Sequence, residues 1–241
     1  MSCLFDGVSD ADTGFGRPWM QNVSGGTISA WVTTRLLAGT QSIWGAYGGT
    51  GTTRAKMSVL GSGAPSLRAN SLDSDATSSF NAGSTISVGQ RYHLVGVFNF
   101  SSKSGGIYIN GVLITVGTFT NMTAGNTSNT ACQQSRMASN EIGTTNSWNG
   151  EIEDLRVYNR ALSADEISTL YATMGRDGIL DGLQARWPLN ERPPDTVASN
   201  IVDLSVNNFG AVAEGNIIYQ SSGVTVERMA QKLRRPVSGS W

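Results

Sequence analysis

Two glutamates raise the first chemical question. Glu151 and Glu153 stand at alternate positions in the run NGEIEDLR. Alternate residues of a strand share a face, and carboxylates ~5 Å apart on one face can serve as acid and nucleophile at a glycosidic bond. A second chemistry would run through His93, the single histidine, which any Ser-His-Asp triad would have to use. A third needs oxygen ligands. Asp73 and Asp75 occupy one loop, and Asp6, Asp10 and Asp12 form a looser group, so calcium is the one cofactor these loops could take. Neither group has the dense spacing of an EF-hand. A fourth is the stacking of aromatic faces on sugar rings, for which Trp44, Tyr47 and Trp148 are the candidate platforms, with Trp19 a further one. Asp154 is expected to pair with Arg156 or Arg160, or to cap a turn. The run GAYGGTGTTR lacks the Lys-Ser/Thr ending and following helix of a phosphate loop. Cys3 and Cys132 have no zinc-site spacing; free thiols are expected, with one long-range disulfide as the alternative.

Strands must position these groups. Residues 27–33, TISAWVT, alternate Ile28, Ala30 and Val32 against polar neighbours and Trp31, a period-two strand. Strands are expected at 4–8, 41–47 and 55–60, with short ones near Leu67 and Phe80 inside a loop-rich stretch, 61–85. RYHLVGVFNF, 91–100, is a strong strand, and GIYINGVLITV, 106–116, is a hairpin turning on Asn110-Gly111, a pair suited to positive φ. Residues 117–139 are rich in Asn, Thr and Ser and read as one long loop. A strand carrying Ile152, Leu155, Val157 and Tyr158 then leads into a helix. Ser163 opens it with Glu166 three residues on, a capping box, and Ile167, Leu170 and Tyr171 follow at helical spacing.

Composition narrows the class. The 241 residues include 29 glycines, only 15% are charged, and the net charge is −1. Short strands and many turns fit that better than helices, and a core of some size can be buried. Nothing draws the chain globally toward nucleic acid or anionic membrane. No apolar run is long enough for a helical membrane span, and MSCLFDGVSD lacks the features of a secretory leader.

The stretch 148–171, WNGEIEDLRVYNRALSADEISTLY, resembles the signature G-x-I-D-x-x-x-Y-N-R-A-L-S-x-x-E-I-x-x-L-Y that closes laminin-G-like and pentraxin-like domains of the concanavalin A-like superfamily. LFDGV, TISAWVT and the RYHLVGVFNF hairpin resemble other family strands. The resemblance implies a binding fold, and a calcium site at the sandwich rim is common in such domains. The acidic cluster that pentraxin-like members carry before the signature strand is absent from 142–146, apart from nearby Glu141. Superfamily hydrolases carry E-I-D-x-x-E, whereas Leu155 and Arg156 fill the places open to a third carboxylate here. Glu151 and Glu153 are therefore expected as solvent-side strand residues. The resemblance also implies that His93 packs and hydrogen-bonds, and that Trp31 and Trp187 are core. Residues 182–210 resemble a segment that ordinarily precedes the sandwich, which implies a permuted or returned edge segment at 182–212, or a truncated second copy.

The expected fold is all-β, a two-sheet antiparallel jelly roll with one short helix after the signature strand. It should span 1–215, with a tail or assembly arm at 216–241 carrying Arg228, Lys232, Arg234, Arg235 and Trp241. The reading is non-enzymatic. A leaderless extracellular-type module with a charged, aromatic-ended tail leads to a structural protein of a tailed-phage virion, a capsid decoration or head or tail appendage. Its partners would be virion or capsid proteins and further copies of itself. The alternative is an extracellular carbohydrate-binding or adhesion module that recognises cell-surface glycans; glycoside hydrolysis is a minor third reading. Neither nucleic acid nor membrane is expected as a partner.

Overall fold

The computed structural model describes residues 2–48, 52–139, 146–190, 195–215 and 217–220. Antiparallel strands form two sheets that face each other across one apolar core. The first runs β10 (Val112–Thr118), β9 (Ser104–Ile109), β8 (Arg91–Asn99), β3 (Gly25–Thr34), β12 (Asn149–Tyr158), β1 (Ser2–Asp6) and β16 (Ile218–Gln220), with β13 (Leu183–Trp187) on the second half of β12. The second runs β14 (Asn200–Ile201), β15 (Ala211–Glu214), β2 (Asp10–Asp12), β11 (Gln134–Met137), β4 (Gln41–Tyr47), β5 (Thr53–Val59), β6 (Pro65–Ala69) and β7 (Ser78–Asn81). This is the expected jelly roll.

Period-two alternation builds the core. Ile28, Ala30 and Val32 of β3 join Ala55, Met57 and Val59 of β5 in one buried cluster. Four tryptophans lie at its centre. Trp19 meets Trp44 edge-on with ring centroids 5.6 Å apart, Trp187 at 5.8 Å and Phe209 at 5.4 Å. Part of the outer face of the first sheet is also covered. The helix α1 (Ala164–Thr173) begins at the predicted capping box and lays Ile167 and Leu170 on Val95, Tyr108 and Tyr158. Burial of two such side chains contributes about 1.5–3 kcal/mol each.

Two expectations change. The stretch 117–139 is not one loop, because β11 lies inside it between β2 and β4. Its alternation is hidden by Ser135, a fully buried residue whose hydroxyl serves Trp19 Nε1 and Thr13 Oγ1, both at 2.7 Å. Asp10 and Asp12 belong to a strand rather than a loop. Asp10 is buried and accepts hydrogen bonds from Arg136 and Ser139. Burial pushes its carboxyl up, against the pull of those partners. The segment 182–212 returns to the same sandwich, with β13 beside β12, β14 beside β15, and β15 beside β2. Strand pairing continues past residue 215, since β16 pairs with β1. Arg228, Lys232, Arg234, Arg235 and Trp241 of the expected arm lie outside the described residues.

Candidate functional site

A break in strand β12 creates the floor of the site. The pairing with β3 slips between Glu153 and Arg156, and Asp154 adopts a left-handed φ of 46°. Such bulges re-aim side chains. The Asp154 amide donates to Pro188 instead, 3.0 Å away. Its carboxylate accepts from Arg156 Nε and Nη2, at 3.1 and 2.8 Å, and from Arg186 Nε at 2.7 Å. Arg156 continues to Asp177 Oδ1 through Nη1 at 2.9 Å. Both arginines also donate to the Gly175 carbonyl, at 2.8 and 2.7 Å. Glycine is required there: φ is +84°, and a Cβ would lie 2.2 Å from Asp154 Oδ2. These bonds fasten the end of α1 to β12 and β13.

Electrostatics keep this floor charged. Burial opposes the Arg156 charge, but the adjacent Asp154 carboxylate, with help from Asp177, holds the guanidinium protonated above its ordinary range. Burial alone would raise the Asp177 carboxyl; hydrogen bonds from Arg156 and the Ile179 amide pull it below the usual range.

Above the floor is a cleft of about 690 Å³. One wall is the last turn of α1 through Arg176. Arg91 and Glu153 form another, and Arg186, Pro188 and Asn190 close it. Arg91 bonds Glu153 at 2.7 Å and lies 3.8 Å over the Trp31 ring. Trp31 in turn stacks on Tyr171, centroids 5.5 Å apart. Arg91 Nη1, Arg186 Nη1 and the whole Arg176 guanidinium have no protein partner among the described residues. Glu153 likewise offers Oε1. The cleft therefore presents donors with a few acceptors on a rigid floor. A second depression, about 260 Å³, has its polar groups tied to the backbone: Asn149 Nδ2 donates to Asp6 O, the Asn149 amide donates to Gln41 Oε1, and Gln41 Nε2 donates to Leu36 O.

The residues expected to do chemistry are placed otherwise. Glu151 and Glu153 do share the outer face of β12, opposite Thr33 and Trp31. Each has an arginine, Arg35 at 3.8 Å and Arg91 at 2.7 Å, and Leu155 beyond the bulge is fully buried. His93 Nε2 contacts Ser29 Oγ at 2.9 Å, but Nδ1, where a triad carboxylate would stand, has no hydrogen-bond partner among the described residues. Burial first, then Arg156 and Arg91, push its imidazole down to about 3, so it is neutral. Trp44, Tyr47 and Trp148 are not platforms. All three are buried to within 1%, and the indoles of Trp44 and Trp148 donate to Thr13 Oγ1 and Glu151 O inside the fold. Asp73 and Asp75 are not free ligands either. Asp73 accepts from Arg54, Ser128 and Thr130, and Asp75 from Ser71, Leu72 and Thr123. Among the described residues no group of three or more His, Cys, Asp or Glu side chains is placed to hold a metal.

The predicted pairing of Asp154 with Arg156 is present; Arg160 pairs with Glu166 instead. Arg91, Arg176 and Arg186 escaped sequence reasoning. They are far apart in sequence and converge only through the β12 bulge and the β13 pairing. The one legible signal was DLR on a strand, a charged pair where alternation calls for a single outward residue.

Residues 11–168 match the family model described as the concanavalin A-like lectin/glucanases superfamily, of laminin G type. No curated protein matches the chain in sequence. Among solved structures it resembles a candidate carbohydrate-binding protein of Bacteroides ovatus (TM-score 0.65, 13% identity), covering 93% of this chain and 61% of that one. It also resembles a heptameric SAP-like pentraxin of Limulus polyphemus (TM-score 0.59, 15% identity), covering 92% and 95%. A third is the CBM40 module of a Ruminococcus gnavus sialidase, solved with α2,3-sialyllactose (TM-score 0.51, 17% identity), covering 62% and 83%. At these identities the likeness is one of fold, and the chain spans about three-fifths of the Bacteroides protein. With well over half its length matched to the family model, the chain belongs to the concanavalin A-like lectin/glucanases superfamily.

Proposed function

We propose that this protein is a non-catalytic carbohydrate-binding module and that the cleft at the end of α1 is its binding site. The observation that carries the reading is the convergence of uncommitted arginine donors and the Glu153 carboxylate on a floor whose own charges are internally paired. Sugar hydroxyls are recognised by such pre-placed donors and acceptors, at little cost in ordering. Hydrolysis is disfavoured because both strand glutamates are engaged by arginines and His93 lacks a carboxylate partner. The fold shared with a candidate carbohydrate-binding protein supports the same reading.

Calorimetric titration of the purified chain against a panel of oligosaccharides tests it. Saturable one-to-one binding with the sugar recovered intact is expected. Heat-silent titrations across the panel, or release of new reducing ends, would overturn it. The virion reading rests chiefly on the C-terminal arm, whose basic residues and Trp241 lie outside the described residues, and the structural likenesses favour glycan recognition. Retention of the full chain on purified phage heads, lost when 221–241 is removed, would revive it.

A further inference from the structure

The cleft has a charge bias that a neutral sugar does not need. Its lining sets Arg91, Arg176 and Arg186 against Glu153 and Asp154, one positive charge in excess among the described residues. The excess is accessible. Asp154 is already shared between Arg156 and Arg186, so it cannot neutralise a third guanidinium. Glu153 is occupied by Arg91. Arg176 is exposed and makes no side-chain bond to any described residue, although it sits on the rim. A free arginine beside two others whose Nη1 atoms are also unspent is an arrangement of planar, fixed-charge donors. Such donors match the two oxygens of a carboxylate better than the single oxygen of a hydroxyl.

The surroundings favour a carboxylate carried on a ring. Met174 is 66% exposed, and with Ala172 and Pro188 it supplies apolar wall for the carbon face of a pyranose. Glu153 Oε1 is free to accept a hydrogen bond from a ring hydroxyl. Carbonyls at a helix C-terminus repel anions. At this end of α1 the Gly175 carbonyl is already covered by Arg156 and Arg186, so the acid group belongs with the Arg176 and Arg186 guanidiniums and the hydroxyls belong toward Glu153. From this division we infer that the ligand is an acidic saccharide, a pyranose bearing a carboxylate. The inference rests on the glycan-binding reading above and narrows it.

The experiment pairs two probes of equal length, an oligogalacturonate and the matching neutral oligogalactoside, with a sulfated oligogalactoside as third arm. Each is titrated into the full chain at low and at physiological ionic strength. The oligogalacturonate should bind at least about tenfold tighter than the neutral probe, as expected for a charge-assisted bond, and should weaken as salt rises. Arg176→Gln should lower its affinity about tenfold while leaving the thermal midpoint unchanged, since the side chain is exposed and makes no hydrogen bond or ion pair with a described residue. Arg91→Gln is the second variant and should lower the affinity similarly, with a lowered thermal midpoint because it also gives up the Glu153 ion pair and the contact over Trp31. Equal binding of neutral and acidic probes overturns the inference and leaves the glycan-binding reading standing. Tighter binding of the sulfated probe than of the carboxylated one also overturns it. Absence of binding by all three, with none from a wider neutral panel, sinks the broader reading instead. Acid-selective binding untouched by both arginine substitutions rejects the cleft as its site.

Discussion

Removing Arg156 is the most informative single perturbation of the scaffold. Its side chain is 2% exposed and bridges Asp154, Asp177 and the Gly175 carbonyl. Arg156→Met keeps the volume but leaves two buried carboxylates short of a partner. Asp154 retains Arg186 at 2.7 Å, whereas the 1%-exposed Asp177 retains only backbone amides among the described residues, that of Ile179 and its own. Removing one member of a buried pair costs about 3–5 kcal/mol. The surviving Arg186 bond places this case near the lower end, about 3 kcal/mol. Against a total of about 5–15 kcal/mol that loss is large. Urea unfolding should show a midpoint lowered by about 1 M, taking m near 3 kcal/mol/M. The pH dependence gives an independent check. In the native protein the Asp177 pKa is depressed, so its contribution is present above the unfolded value of about 3.9 and is lost as pH falls through the folded one. In the variant that carboxylate is a buried, unpaired charge relieved by protonation. The stability gap between the two proteins should therefore narrow as pH drops from 6 toward 4. Asp177→Asn combined with Arg156→Met should cost less than the two single changes summed, by more than about 1 kcal/mol. Additive losses, or a midpoint shift under about 0.3 M, would refute the claim that these charges hold α1 to β12.

Other outcomes follow from the same geometry. Glu166 is held down to about 2, chiefly by the hydrogen bond from Arg160. Glu166→Gln should cost about 1 kcal/mol at pH 7 in a melting experiment, as for other helix caps. That difference should be fully present above about pH 4.3 and vanish as pH falls through about 2. The His93 ring should show no titration by NMR between pH 5 and 8 and should protonate only near 3. Its stabilising effect is present above the unfolded value of about 6.5 and declines as pH falls below it; a midpoint near 6.5 in the native protein would contradict the buried placement. Trp44→Ala should destabilise by about 3–5 kcal/mol, whereas Trp44→Phe should leave sugar affinity unchanged. A selective loss of affinity in the folded Phe variant would restore Trp44 as a platform.

Much of the fold was legible because its signals are local. The capping box at Ser163 and Glu166 forms as the spacing implies, and Asn110 and Gly111 take φ of 52° and 79° in the predicted hairpin. The site was less legible because it is made by long-range events. Trp44 and Trp148 look the same in sequence whether they face solvent or core. Only the pairing of both sheets places them at 0% exposure. β11 was hidden by a serine in a core position, and Asp73 and Asp75 read as ligands until Arg54 and Thr123 were seen to occupy them. Arg186 reaches Asp154 only because β13 returns to β12, a pairing no periodicity announces.

The central claim is that the cleft at the end of α1 binds a saccharide without cleaving it. Two-dimensional NMR of the labelled chain, titrated with the oligosaccharide that gives the strongest heat, addresses it most directly. The account predicts progressive shifts at the Arg91, Arg176 and Arg186 Nε–H groups and at the amides of Met174 and Gly175, with the sugar's own spectrum free of new anomeric signals. Shifts confined to residues outside this cleft, or the appearance of hydrolysis products, would contradict it.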